Sequence, residues 1–100
     1  MLIHTVYVQL TEDHRTDKRR RSVADEARVR LSQMPWVRGV HAAVPLEPAS
    51  AKGWDLALHL QFDNAEGLAA FEKEPEFLAW HDQELGPKRS FEKRWTWDLV

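Results

Sequence analysis

The sequence predicts an α+β domain in which a four-stranded antiparallel sheet carries its helices on one face. Three observations predict it. From Trp54 to Phe62, large apolar residues occupy every second position, with Asp55, Ala57, His59 and Gln61 between them, which is the period of a half-buried strand. A second alternation sets Leu2, His4, Val6, Val8 and Leu10 against Ile3, Thr5, Tyr7 and Gln9. Between and after these runs, apolar residues recur at helical spacing, so the order reads strand, helix, strand, strand, broken helix, strand. That order is the ferredoxin-like split βαβ arrangement.

Each element follows from local chemistry. The first strand, Leu2 to Leu10, carries His4 on its apolar face, and the polar stretch from Thr11 to Thr16 turns the chain. A helix follows through about Gln33, with Val23, Ala27, Leu31 and Met34 near four-residue spacing and Pro35 marking its end. Ser22 followed by Asp25 resembles a capping box that offers a later start, but the longer helix, with Lys18-Arg19-Arg20-Arg21 in its first turns, is preferred. Trp36 to Val44 reads as the second strand, with Val40, Ala42 and Val44 on one face and Gly39, His41 and Ala43 on the other. Pro45 and Pro48 stop it, and the stretch through Lys52 is a loop. After the central strand, Asn64 caps a short helix carrying Leu68 and Phe71. Pro75 opens another that runs to about Leu85, is closed by Gly86-Pro87, and turns Phe77, His81 and Leu85 inward. Phe91 to Val100 is the last strand, alternating Trp95, Trp97 and Leu99 with Arg94, Thr96 and Asp98.

Composition narrows the function. The 100 residues make a single domain, 1–100, near the size at which pairing with a second copy adds useful stability. The formal charge of -2, with 30% charged residues in mixed order, leaves no electrostatic footprint for nucleic acid, and the basic run reads as a solvated helix face. With no cysteine, disulfides, thiol catalysis and cysteine-bound metals are excluded. No charged leader precedes the first strand and no apolar run is long enough to span a bilayer, so a cytoplasmic location with no membrane partner is expected. Glycine-rich phosphate loops, strained serine turns and histidine-carboxylate zinc helices are absent, which removes nucleotide, hydrolase and zinc-protease readings. The sheet face away from the helices carries Tyr7, His41, His59 and Gln61, too apolar to be left to water, so it is expected to meet the same face of a second chain. Two such sheets close a barrel.

Five segments carry a family resemblance over nearly the whole chain. They are Leu2-Ile3-His4-Thr5-Val6, Met34-Pro35-Trp36-Val37-Arg38-Gly39-Val40, Lys52-Gly53-Trp54-Asp55-Leu56-Ala57-Leu58, the Phe71 to Phe77 stretch with Pro75, and Trp97-Asp98-Leu99. Together they resemble the stress-responsive A/B barrel domain family. The resemblance implies a homodimeric α+β barrel, no cofactor, and a family in which most members have no assigned reaction. One member, a plant polyketide cyclase, folds a linear polyketide acid without a cofactor. His4 matches that enzyme's histidine on the first strand, whereas Phe77, in Glu74-Pro75-Glu76-Phe77, stands where its second catalytic histidine lies. Ala27 and Phe71 replace two of its tyrosines and cannot donate a hydrogen bond. The family register also implies that Arg94, Thr96 and Asp98 face the helices while Trp95 and Trp97 face the partner, although apolarity alone favours the opposite.

The candidate site follows. His81, one turn beyond Phe77, supplies a relocated second histidine. His4 is the expected general base with Asp98 orienting it, His81 the acid or a carboxylate binder, and Arg94 a substrate-carboxylate partner. Leu56, Leu58, Phe71 and Phe77 are expected to line the cavity. Such a site suits a small hydrophobic organic acid or polyketide-like molecule and a cofactor-independent lyase, cyclase or monooxygenase-like reaction. Two alternatives stay open. One is a non-catalytic, stress-associated structural dimer whose interior is filled by side chains. The other is a metal site from His41 and His59, doubled by dimer symmetry. Of these, the cavity reading requires open space beside His4.

Overall fold

The computed structural model describes residues 1–47 and 53–100, so the readings made at Pro48 and Lys52 lie outside the described residues. Strand β1 (Leu2–Leu10) leads through a short 3-10 turn, Glu12–His14, into helix α1 (Asp17–Ser32). Strands β2 (Gly39–Ala43) and β3 (Leu56–Phe62) follow, then helix α2 (Ala65–Glu72). Helix α3 (Pro75–Ala79) continues as a π-helical segment, Trp80–Leu85, and a 3-10 turn, Gly86–Lys88, before strand β4 (Arg89–Asp98). The sheet order is β2-β3-β1-β4 with every pair antiparallel, so the ferredoxin-like architecture stands as expected.

The register fixes what shares a face. On the helix side, Leu60, His4 and Thr96 lie in one row across β3, β1 and β4; Leu58, Val6 and Arg94 form the next, and Leu56, Val8 and Glu92 the third. The opposite face carries His59, Thr5 and Trp95 in one row and Gln61, Ile3 and Trp97 in another. Trp95 and Trp97 therefore point away from the helices. The reason is position: β4 is an edge strand at the rim of the helical layer, so its helix-side residues stay polar.

The core is the alternating face of β1 and β3 packed under Val23, Ala24, Ala27 and Leu31 of α1 and Leu68 and Phe71 of α2. Helix α1 starts at Asp17 because the Thr16 hydroxyl accepts the Arg19 backbone N–H, and an acidic residue in the first turn suits the helix dipole. The basic run therefore lies within the helix, and Ser22 sits inside it. Asn64 caps α2 by accepting the Gly67 N–H at 2.9 Å.

Three boundaries differ from expectation. Strand β2 begins at Gly39 rather than Trp36, since Trp36 takes a φ of 76°, a left-handed conformation that turns the chain before pairing starts. Strand β4 spans Arg89–Asp98, so it starts earlier and ends earlier than read. The alternation of the central strand holds only from Leu56. Trp54 crosses to the open face, stacking on Phe91 at 5.9 Å and tilted against Tyr7 at 5.8 Å, while Asp55 is fully buried. The cause is a clamp around that carboxylate. Asp55 accepts the Leu10 N–H at 2.7 Å and pairs with Arg20 Nε at 2.7 Å and Arg15 Nε at 3.2 Å, tying the end of β1 and the start of α1 to the start of β3.

Candidate functional site

The space between sheet and helices contains a pocket into which β1 presents His4 and β4 presents Glu92 and Arg94. Its other walls are Val6, Leu58 and Leu60 of the sheet, Leu31 of α1, Phe71 and Glu72 of α2, and Phe77, Trp80, His81 and Leu85 from α3 and its π-helical extension. The rings pack in sequence: Phe62 on Phe71 at 5.1 Å, Phe71 on Phe77 at 4.3 Å, and Phe77 on His81 at 5.6 Å. The walls enclose about 370 Å³ including the open mouth. One water fits without any rearrangement.

His4 is 6% exposed, and its Nδ1 lies 2.8 Å from the Thr96 hydroxyl. When Nδ1–H donates to that hydroxyl, Nε2 is left as the basic nitrogen. Nε2 has no hydrogen-bond partner among the described residues. Burial pushes the imidazole below its ordinary pKa of 6.5; nearby Glu72 opposes that shift, Arg94 adds to it, and Glu92 opposes it. The neutral ring is therefore the resting form at neutral pH.

At the mouth, His81 Nε2 lies 2.6 Å from Glu92 Oε1 and Nδ1 lies 3.2 Å from the Asp82 carboxylate. The Arg89 guanidinium donates to the same Glu92 oxygen, and its Nη1 lies 2.7 Å from His81 Nε2, a contact that is a hydrogen bond only when that nitrogen carries no proton. The hydrogen bond to Glu92 raises the His81 pKa, burial opposes it, and Asp82 adds to the rise. Burial alone would raise the Glu92 carboxyl, but its hydrogen bond to His81 and the charges of His81, Arg89 and Arg94 hold it below its ordinary value. On the other side of the mouth, Arg94 Nη1 stands 3.5 Å from Glu72 Oε2 in a half-exposed pair. The two imidazoles are thus driven toward opposite protonation states, the arrangement that separates a base from an acid.

The structure brings His4, His81, Arg94, Leu58, Phe71 and Phe77 to one pocket. It does not bring Leu56 there: Leu56 pairs with Val8, two rows along the sheet from His4, and is buried in the core. Nor does Asp98 orient His4. Its strand partner is Leu2, and the residue directly opposite His4 is Thr96, which takes the orienting bond; a diagonal neighbour two residues on lies roughly 7–8 Å away. Thr96, Glu92, Glu72, Arg89 and Trp80 were given no role by the sequence reading. The family register that puts Arg94 and Thr96 under the helices also puts Glu92 there, two residues along the same strand, so that signal was present for two of them.

On the open face, His41 and His59 are strand partners, but His59 Nδ1 is engaged with the Thr5 hydroxyl at 3.2 Å. Among the described residues of one chain, no group of three or more histidines and carboxylates is placed to hold a metal ion. The same face bears an aromatic band, Trp95 edge-on to Tyr7 at 5.7 Å, then Trp54 and Phe91, with Trp95 45% and Trp97 58% exposed. No helix among the described residues is long and apolar enough to cross a membrane.

Comparison with known proteins agrees with this geometry. The family model described as the stress responsive A/B barrel domain matches residues 2–98. No curated protein sequence matches the chain. Among solved structures, it is similar to a Dabb family protein of ferredoxin-like fold from Mesorhizobium loti, at 15% identity and a TM-score of 0.79, covering 99% of this chain and 96% of that one. It is similar to a dimeric ferredoxin-like protein of unknown function from Thermobifida fusca, at 16% identity and a TM-score of 0.77 over 98% and 90% of the two chains. It is also similar to a hydroxynitrile lyase from Passiflora edulis, at 13% identity and a TM-score of 0.77 over 99% and 93%. At these identities the likeness is one of fold.

Proposed function

Because the chain belongs to the stress responsive A/B barrel domain family, we propose that it pairs through its open sheet face as a homodimer and that each protomer binds or converts a small hydrophobic organic acid or polyketide-like molecule, without a cofactor, in the pocket beside His4. The observation that carries this reading is His4 itself: a buried, neutral imidazole, held at one nitrogen by Thr96, lining an apolar pocket with cationic and carboxylate groups at its mouth. A buried polar group that serves stability alone needs no such opening.

In this reading His4 accepts a proton from the bound acid, activated next to a carbonyl, and protonated His81 supplies one. Arg94 exchanges its long contact with Glu72 for the ligand's carboxylate. Since the resting pocket has room for one water, a ligand enters by displacing the half-buried Phe77 ring, which sits on a helix of only five residues. Dimer formation is supported by the aromatic band. Covering Phe91, Trp95 and Trp97, each leaving roughly 100 Å² exposed, is worth about 2–3 kcal/mol per side chain.

The small free volume favours a second reading, a structural dimer whose interior is simply filled. A thermal-shift screen against hydrophobic carboxylic acids, phenols and linear polyketide mimics separates the two when run beside His4→Phe. A ligand at a hundred times its dissociation constant adds about 2.7 kcal/mol, roughly 13 °C for a domain of this size. Stabilisation that is lost in His4→Phe supports the site. No stabilisation by any compound, with a mutant as stable as the parent, sinks it in favour of the structural dimer.

A further inference from the structure

The pocket has two walls with an imidazole on each, and only one of them is explained by its burial. His4 rises from the sheet and is held by a neutral hydroxyl. His81 comes from the helical layer, on a π-helical segment whose widened turn buries Trp80 and Leu85 and leaves His81 between them at the rim. Its ring is fixed by Phe77 beneath it and by a carboxylate from the opposite layer, Glu92, at 2.6 Å. Glu92 is itself mostly buried, and it belongs to the row of Val8 and Leu56, so its side chain projects under the helices rather than into solvent. Sheet and helix thus each supply one half of a part-buried, hydrogen-bonded imidazole-carboxylate pair, and the pair opens onto the space beside His4.

We infer that Glu92 is a positioning residue, holding the His81 imidazole through its Nε2–H as a second proton-carrying group on the wall opposite His4. The inference rests on the reading of this pocket as a ligand site. Within that reading it places the anionic end of the ligand between His81 and Arg94, two residues along β4 from Glu92 on the same face, and the proton-yielding carbon toward His4. The charged groups around His81 are Glu92 and Arg89 from β4 and Asp82 from its own segment, with Arg94 of β4 acting on Glu92 and Glu72 of α2 paired to Arg94. Arg89 and Asp82 accompany the pair without replacing it. Asp82 is largely in solvent, and Arg89 carries no proton that the ligand can take.

The test is calorimetric binding of 3-phenylpropanoate from pH 5.5 to 8.5 by the full chain and by Glu92→Gln, with the His81 titration midpoint read from its imidazole resonance. Removing the Glu92 charge strengthens binding of an anion at every pH, so the magnitude of binding is not the readout. The readout is the pH at which affinity bends. In the parent, affinity falls as pH rises through the His81 midpoint; in Glu92→Gln the midpoint and the bend move down together, by about tenfold in affinity between them for each pH unit moved. Glu92→Asp returns part of the displacement, and His81→Gln, an independent variant should Glu92→Gln fold poorly, removes the bend. A midpoint that moves while the bend stays makes the pair a structural ion pair and overturns the inference, leaving the ligand site intact. A midpoint that does not move also overturns it, and no binding by the parent overturns the ligand site and the inference together.

Discussion

Replacing Asp55 by asparagine removes the charge from a fully buried carboxylate on which Arg15, Arg20 and the Leu10 N–H converge. The amide oxygen still accepts the Leu10 N–H, so the backbone of β1 keeps its partner. What is lost is the counter-charge to two guanidinium groups. Breaking a buried pair by removing one partner costs about 3–5 kcal/mol. The structure places this case at the lower end, because the Arg15 side chain is 30% exposed and relaxes toward water, whereas Arg20, at 15%, is less free to do so. A loss of about 3 kcal/mol lowers the melting temperature by roughly 15 °C, taking about 5 °C per kcal/mol for 100 residues. Asp55→Ala costs a further 1–3 kcal/mol or so by leaving the Leu10 N–H unsatisfied. Urea denaturation and calorimetry at one fixed protein concentration measure both, since assembly makes the midpoint concentration-dependent. A drop below about 5 °C for Asp55→Asn, or an alanine variant no worse than the asparagine, would refute the claim that this clamp fastens β1, α1 and β3.

Four further outcomes follow from the geometry. Trp95→Ser with Trp97→Ser strips two exposed indole rings from the open face, and sedimentation at micromolar concentration is expected to show monomers; an intact dimer removes that face as the interface. For His4, burial lowers the folded pKa, so between that value and about 6.5 the unfolded chain binds a proton that the folded chain does not. Stability therefore falls as pH drops through that window, and His4→Phe flattens the dependence there; equal slopes in parent and variant would contradict the assignment. His81 has the opposite sign: its raised pKa gives stability that is complete below about 6.5 and fades as pH rises through the folded value, so His81→Gln removes the decline on the alkaline side. Phe77→Ala opens the wall of the pocket at a cost of about 2 kcal/mol, less than for a fully buried ring, and is expected to tighten binding of bulkier aromatic acids in calorimetry. Stability lost with no gain in ligand size would mean that Phe77 is core rather than gate.

How far the sequence carried depended on whether a signal was local. His4 on the apolar face, the Thr11 to Thr16 turn, the Asn64 cap and Pro75 at a helix start all depend on neighbours within a few residues, and each stands in the structure. The burial of Asp55 in place of Trp54 was hidden, because it depends on two arginines some 35 to 40 positions away meeting one carboxylate. The same limit explains Asp98: the family register says which face a β4 residue takes, but only the pairing with β1 says that Thr96 stands opposite His4. The π-helical widening at Trp80–Leu85, which turns Trp80 inward beside His81, has no periodic mark in the sequence. Glu92 is a case of a visible position without a visible partner. Its side follows from the family register of β4, its role only from His81 arriving from the helical layer.

The most direct test of the central claim, that the space beside His4 receives a ligand, is the imidazole resonance of His4 followed during addition of a hydrophobic carboxylate such as 3-phenylpropanoate. The account predicts a saturable shift at His4, accompanied by His81 and the Phe77 ring and absent from Trp95 and Trp97 on the other face. A His4 resonance that does not move, or one that moves only after the Trp95 and Trp97 signals, would contradict it.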